Sequence, residues 1–321
     1  MSVSVRPISS SAALVIIWTA CLALPIRSGA QETEPPEPVI DVHVHTLPLS
    51  DPGRREDLTG LRAPRTLDEL RRRNIEVLRR HGVVRALASG ADLAFYLTAD
   101  SALFAPGLRL NAPVLAVDSL RTLFGTGAYL ALAEWAPQYD AIAPNDPRLE
   151  SYFALAEELD IPIGLHVGLR LPDARSDATC GMGPSGTATL SDPMLLDGVL
   201  TRHSRLRLFV MHAGWPMLDR MLALLDAHPQ LYVDISFIDW VIPRDEFHAY
   251  LRALVDAGHG ERIMFGSDQM LWPEALPLAL EAVRTAEFLS PEQKRDILFH
   301  NAVRFFRWGD LAHLRVHRAV R

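Results

Sequence analysis

Two histidines one residue apart, His43 and His45, close the apolar run Val39-Ile40-Asp41-Val42-His43-Val44-His45. Side chains alternate along a strand, so His43 and His45 are expected on one face and Val42 and Val44 on the other. Two neutral imidazoles at the end of a buried strand can bind one divalent cation such as Zn²⁺. More metal-competent residues follow other apolar runs: Glu134, His166, His212 and Asp268. Singly, each has a structural reading, as a satisfied core histidine, an ion-pair partner or a helix cap. Their joint recurrence at the ends of apolar runs points to a shared metal site. His81, His203, His228, His248, His259, His300, His313 and His317 fall instead in helices, helix ends or the tail.

The elements that must position these groups repeat one pattern, a short aliphatic run followed by an amphipathic stretch. The runs are Val39–Val44, Val83–Ala88, Leu110–Val117, Tyr129–Ala133, Ile161–Leu165, Leu206–Met211, Leu231–Ile235 and Arg262–Phe265. Continuous apolar strands imply burial on both faces and hence a parallel sheet. Helices are expected over Thr66–Arg80, Leu149–Leu159, Asp192–Arg202, Trp215–Ala227, Asp245–Ala257 and Pro273–Phe288. Eight such units predict an α/β fold, a single-domain (β/α)₈ TIM barrel over residues 39–308. An open doubly wound sheet would want a Gly-rich turn after its first strand, where this chain has His-Val-His. In a barrel the chemistry lies at the C-terminal ends of the strands. Two long loops there, Thr46 to Pro64 and Val167 to Leu190, read as lids.

The chain is 49% hydrophobic and 22% charged, which suits a large folded core rather than disorder. Its net charge is −7, and no segment concentrates Lys and Arg as a nucleic-acid surface requires. Of the two cysteines, Cys21 lies in the leader region and Cys180 in a Gly/Ser/Thr-rich loop, so no internal disulfide is expected. Arg170, shortly after His166, could pair with a substrate carboxylate through its guanidinium fork. Trp215, Trp240 and Trp272 follow strands six, seven and eight and could wall an apolar pocket.

The order His-x-His, then His, His and Asp after strands five, six and eight, resembles the amidohydrolase superfamily, in its amidohydrolase-related branch. The stretches most similar are Asp160-Ile161-Pro162-Ile163-Gly164-Leu165-His166-Val167-Gly168, His212-Ala213-Gly214-Trp215-Pro216, Phe265-Gly266-Ser267-Asp268 and Leu289 through Phe306. The resemblance implies a metal-dependent enzyme, a hydrolase of C–O or C–N bonds or else a non-oxidative decarboxylase, acting on a small molecule. It implies that His43, His45, His166 and Asp268 hold a divalent metal, zinc first of all. His212 would then orient or deprotonate a water, with Asp268 as the proton shuttle. Glu134 would bridge a second ion, with His166 and His212 serving it, if the site is binuclear; a single ion is the expectation. Oligomeric state stays open, a homo-oligomer included.

Residues 1–30 read as a secretory signal. Arg6 precedes the apolar run Ala12 to Leu24, and Ser28-Gly29-Ala30 offers small residues for cleavage. The run is short for a bilayer span, so no stable membrane insertion is expected after processing. A Glu/Pro-rich linker covers 31–38 and a basic tail 309–321. The expected location is exported, periplasmic or secreted. Mass spectrometry of the exported protein should find Gln31 at the amino terminus; a retained Met1 would contradict the signal reading.

Overall fold

The aliphatic runs form eight parallel strands in sequence order around one sheet. They are β1 (Val39–His45), β2 (Val83–Ser89), β3 (Phe104–Leu110), β4 (Ala131–Trp135), β5 (Ile163–His166), β6 (Leu208–Met211), β7 (Tyr232–Asp234) and β8 (Ile263–Met264). This is a computed structural model; it describes residues 1–2, 37–47, 59–168, 188–269 and 271–311. The chain divides into Met1–Pro35 and Pro36–Arg321, and all the structure below belongs to the second unit. Residues 3–30 of the expected signal, most of the linker, Cys180, Arg170, the central parts of both long loops and residues 312–321 lie outside the described residues.

Beyond the short β8, the chain continues alongside β1 and closes the cylinder. Val42 N donates to Phe265 O (3.0 Å), Asp268 N to His43 O (2.8 Å) and His45 N to Gln269 O (3.1 Å). Inside, Ile40, Val42, Leu87, Ala105, Ala131, Ala133, Phe209, Met211 and Met264 form one cluster with Phe299, Phe305 and Phe306. Side chains from strands that are not neighbours can meet only in a barrel's interior. Arg207, just before β6, donates to Phe305 O (2.8 Å), so the C-terminal segment plugs the rim where the strands begin. The opposite rim is left for chemistry.

A second core layer joins the outer face of the strands to the helices, including α1 (Leu67–Arg80), α4 (Glu150–Leu159), α6 (Leu218–Ala227), α7 (Ile238–Val241), α8 (Arg244–Leu254) and α9 (Ala275–Arg284). The first of these starts where its cap dictates: the Thr66 hydroxyl accepts from Glu69 N (3.1 Å). The third strand departs from expectation. It runs Phe104–Leu110, not Leu110–Val117, because Asn111 and Pro113 break the latter run while Pro106 and Gly107 disguise the former. Two short helices that sequence periodicity did not suggest, α2 (Leu93–Ala99) and α3 (Val117–Gly125), complete their units. Asp192–Arg202 is two short pieces, a 3₁₀ turn (Pro193–Leu196) and α5 (Asp197–Arg202). Among the described residues no helix is long and apolar enough to cross a membrane.

Candidate metal centre

Strand β1 does not alternate as expected. Val42 belongs to the barrel interior and Val44 to the outer layer, and the pairing with β2 shifts register between Asp41 and Val44. Such a bulge re-aims side chains at a strand's end. Here it brings His43 Nε2 to 3.2 Å from His45 Nε2. The same device recurs in β4, where Ala133 lines the interior and the next residue, Glu134, still turns toward the histidines.

Asp268 completes the first group. Its Oδ1 lies 2.9 Å from His45 Nε2 and 3.5 Å from His43 Nε2. Glu134, His166 and His212 form a second group; in each group the potential ligand atoms lie within 4.8 Å of one another, and all six residues are buried. The six side chains predicted to converge therefore do so at one mouth of the barrel. His212 and Asp268 both have left-handed backbones, φ 57° and 48°. Residues other than glycine rarely adopt this conformation unless the surroundings impose it. Here hydrogen bonds impose it, from His212 N to Asp234 Oδ1 (2.8 Å) and from Asp268 N to His43 O.

A surrounding set of residues, which sequence reasoning missed, fixes the ring orientations. His43 Nδ1 meets Ser236 Oγ (2.9 Å) and Asp234 Oδ2 (3.3 Å), which leaves the Nε2 lone pair for the site. His212 Nδ1 meets Ser236 O (2.9 Å) and Oγ (3.0 Å). His166 is held at both nitrogens, Nδ1 by the Gln138 amide and Nε2 by the Tyr139 hydroxyl (2.9 Å). Asp41 accepts from His43 N (3.1 Å), Ser267 N (2.9 Å) and Ser267 Oγ (2.6 Å), tying β1 to the turn that carries Asp268. Gly266 lets these pieces approach, since a Cβ there would sit 2.9 Å from His43 Cβ. The only local signal for this set was Asp234-x-Ser236 ending an apolar run, as His43-x-His45 does.

Burial opposes charge throughout, yet the acids stay ionised. Glu134 is held well below the usual carboxylate range by Arg109 (Nε to Oε2, 3.3 Å), His45 and His166. Asp268 is lowered against its burial by His43 and His45, and Asp234 by its hydrogen bond and charge pairing with His43. Burial would deprotonate His43, but Asp268, Asp234 and Glu134 raise it to about 9. Burial, helped by the neighbouring His212, pushes His166 down to about 3. Burial lifts Asp41 to about 6. Asp268 Oδ1 is buried without a well-directed hydrogen bond, although two imidazole nitrogens stand within 3.5 Å. A carboxylate oxygen and two ring nitrogens crowded so closely are a donor set for a divalent cation.

The predicted pocket walls divide. Trp215 sends its indole N–H to Glu246 on α8 (3.2 Å). Trp240 donates to Ser267 O (2.8 Å) and packs against Trp272, which borders the small cluster of Leu47, Ala63, Leu70 and Leu271. The aromatic rings that touch the site histidines are others: Tyr139 against His166 (4.9 Å between centroids) and Phe237 against His212 (5.9 Å).

An amidohydrolase family model matches residues 40–308, and the chain belongs to that family of metal-dependent hydrolases and decarboxylases. Solved structures show the same fold at low identity. The 5-carboxyvanillate decarboxylase LigW from Sphingomonas paucimobilis is 17% identical with a TM-score of 0.56, over 84% of this chain and 99% of that one. A probable 2-pyrone-4,6-dicarboxylic acid hydrolase from Acinetobacter baumannii, with citric acid bound, is 14% identical with a TM-score of 0.56 over the same shares. A dihydroxybenzoic acid decarboxylase from Polaromonas, with bound manganese and 2-nitroresorcinol, is 15% identical with a TM-score of 0.57, over 85% and 98%. No curated protein matches the chain in sequence.

Asp234→Asn keeps the shape of the side chain but removes the charge that faces His43 Nδ1. Affinity for added Zn²⁺, used as the probe ion and measured by competition with a chelator, should fall roughly 10- to 100-fold; unchanged affinity would make Asp234 only a packing residue.

Proposed function

We propose that the chain is a metal-dependent hydrolase that cleaves a C–O or C–N bond, in an ester, lactone or amide-like group, of a small carbonyl substrate after export. The observation that carries the reading is the convergence of His43 Nε2, His45 Nε2 and Asp268 Oδ1 within 3.5 Å at the C-terminal mouth of the barrel. His43, His45, His166 and Asp268 would hold the ion, zinc in our reading. When bound, such an ion supplies Lewis acidity and makes a water more acidic.

The chain's own groups account for the proton traffic. Asp268, ionised in spite of its burial, can accept a proton at the mouth and deliver it to the leaving group. His212 has Nδ1 committed to Ser236, which leaves Nε2 to orient the attacking water or to stabilise an oxyanion. Glu134 already has a counter-charge in Arg109, so it does not require a second metal to balance it; this favours one ion. Burial of the cluster strengthens each of these interactions relative to water.

A second reading is a non-oxidative decarboxylase of a small unsaturated or aromatic acid. It is favoured by the decarboxylases among the similar structures. Assays of CO₂ release and of acid release on panels of esters, lactones and aromatic acids separate the two. On whichever substrate is turned over, Asp268→Asn should lower kcat by about 10²- to 10⁴-fold with an unchanged circular dichroism spectrum. Near wild-type rates in that variant would remove Asp268 from proton transfer.

A further inference from the structure

The 3₁₀ turn Pro137–Asp140 that follows β4 sets two side chains against one histidine. The Gln138 amide nitrogen meets His166 Nδ1, and the Tyr139 hydroxyl meets Nε2 at 2.9 Å. Tyr139 is 6% exposed and His166 5%, so solvent does not substitute for either contact. Nε2 is also the nitrogen that faces Glu134, with Oε1 at 4.0 Å. A neutral imidazole has one lone pair. A metal ligand at Nε2 needs the tautomer with the proton on Nδ1; there the Gln138 amide, which now presents its nitrogen to Nδ1, must turn to offer its oxygen, an atom otherwise buried without a partner. In that tautomer the Nε2 lone pair is the acceptor for the Tyr139 O–H. A hydroxyl hydrogen and a cation cannot share it.

We propose that the Tyr139 hydroxyl and the metal compete for His166 Nε2, and that the displaced hydroxyl then donates its hydrogen bond to the substrate oxygen in the pocket. Tyr139 is thereby both a brake on metal loading at His166 and a substrate-contacting donor. The proposal rests on His166 as a ligand. Its distinctive consequence is that removing one hydroxyl tightens metal binding while weakening turnover. A merely structural tyrosine would do the reverse for the metal, or nothing.

Tyr139→Phe keeps the ring against His166. Chelator competition with Zn²⁺, on metal-stripped full-length protein, should give a Kd about 2- to 12-fold lower than wild type, the worth of one net hydrogen bond. Turnover of the metal-loaded variant should fall, through kcat more than KM. An equal or higher Kd overturns the competition. A lower Kd with unchanged kcat overturns the substrate contact. If neither protein binds Zn²⁺, the metal reading itself fails, a distinct result from a Kd that does not move. Should the variant not fold, a crystal structure of zinc-loaded wild type decides: Tyr139 Oη must lie beyond hydrogen-bond reach of His166 Nε2, and retention of the 2.9 Å contact refutes the proposal.

Discussion

Ionised carboxylates buried beside imidazole nitrogens are the constraint on which the rest of this structure depends. Glu134, Asp234 and Asp268 are each at most 6% exposed, and each carries a charge that burial opposes. Removing such charges from water costs several kcal/mol per ion unless partners compensate. Arg109 answers Glu134, and Asp234 receives hydrogen bonds from His212 N, Ser236 N and Ser236 Oγ while facing His43. Asp268 is left with the two ring nitrogens of β1. His43, His45 and Asp268 form a group that could hold a divalent cation, which would relieve that crowding.

The barrel concentrates its irregularities at that point. The register shifts of β1 and β4 turn His43 and Glu134 inward, and left-handed backbones at His212 and Asp268 turn the chain away from the strand line. Strain of this kind costs of order 1–3 kcal/mol per residue and persists where surrounding structure over-determines it. Asp41 and Asp234 provide that over-determination. Asp41 fastens β1 to Ser267, and Asp234 fastens His212 and Ser236 from β7. The opposite rim is plugged by Phe299, Phe305 and Phe306, whose apolar cluster adds to the main core between strands and helices.

The clustered histidines and acids were legible in the sequence because each follows an apolar run, and strand ends are where a barrel keeps its chemistry. Seven of the eight strands could be read for the same reason. The third could not, since Pro106 and Gly107 look like punctuation and the aliphatic residues beyond Leu110 mimic a strand. The alternation rule also failed locally: Val42 and Val44 lie in different layers, yet the bulge still delivers His43 and His45 to one point. The supporting groups were the least legible. Asp234 and Ser236 lie 191 and 193 residues from His43, and their place at the end of an apolar run is a weak signal that does not name their partner. Tyr139 and Gln138 sit in a turn whose role emerges only once β4 and β5 are side by side.

Anomalous diffraction from crystals of the protein grown with Zn²⁺, collected on both sides of the zinc edge, tests the account most directly. The expected map has a peak within bonding distance of His43 Nε2, His45 Nε2 and Asp268. A well-occupied peak elsewhere, with those three side chains unliganded, would contradict it.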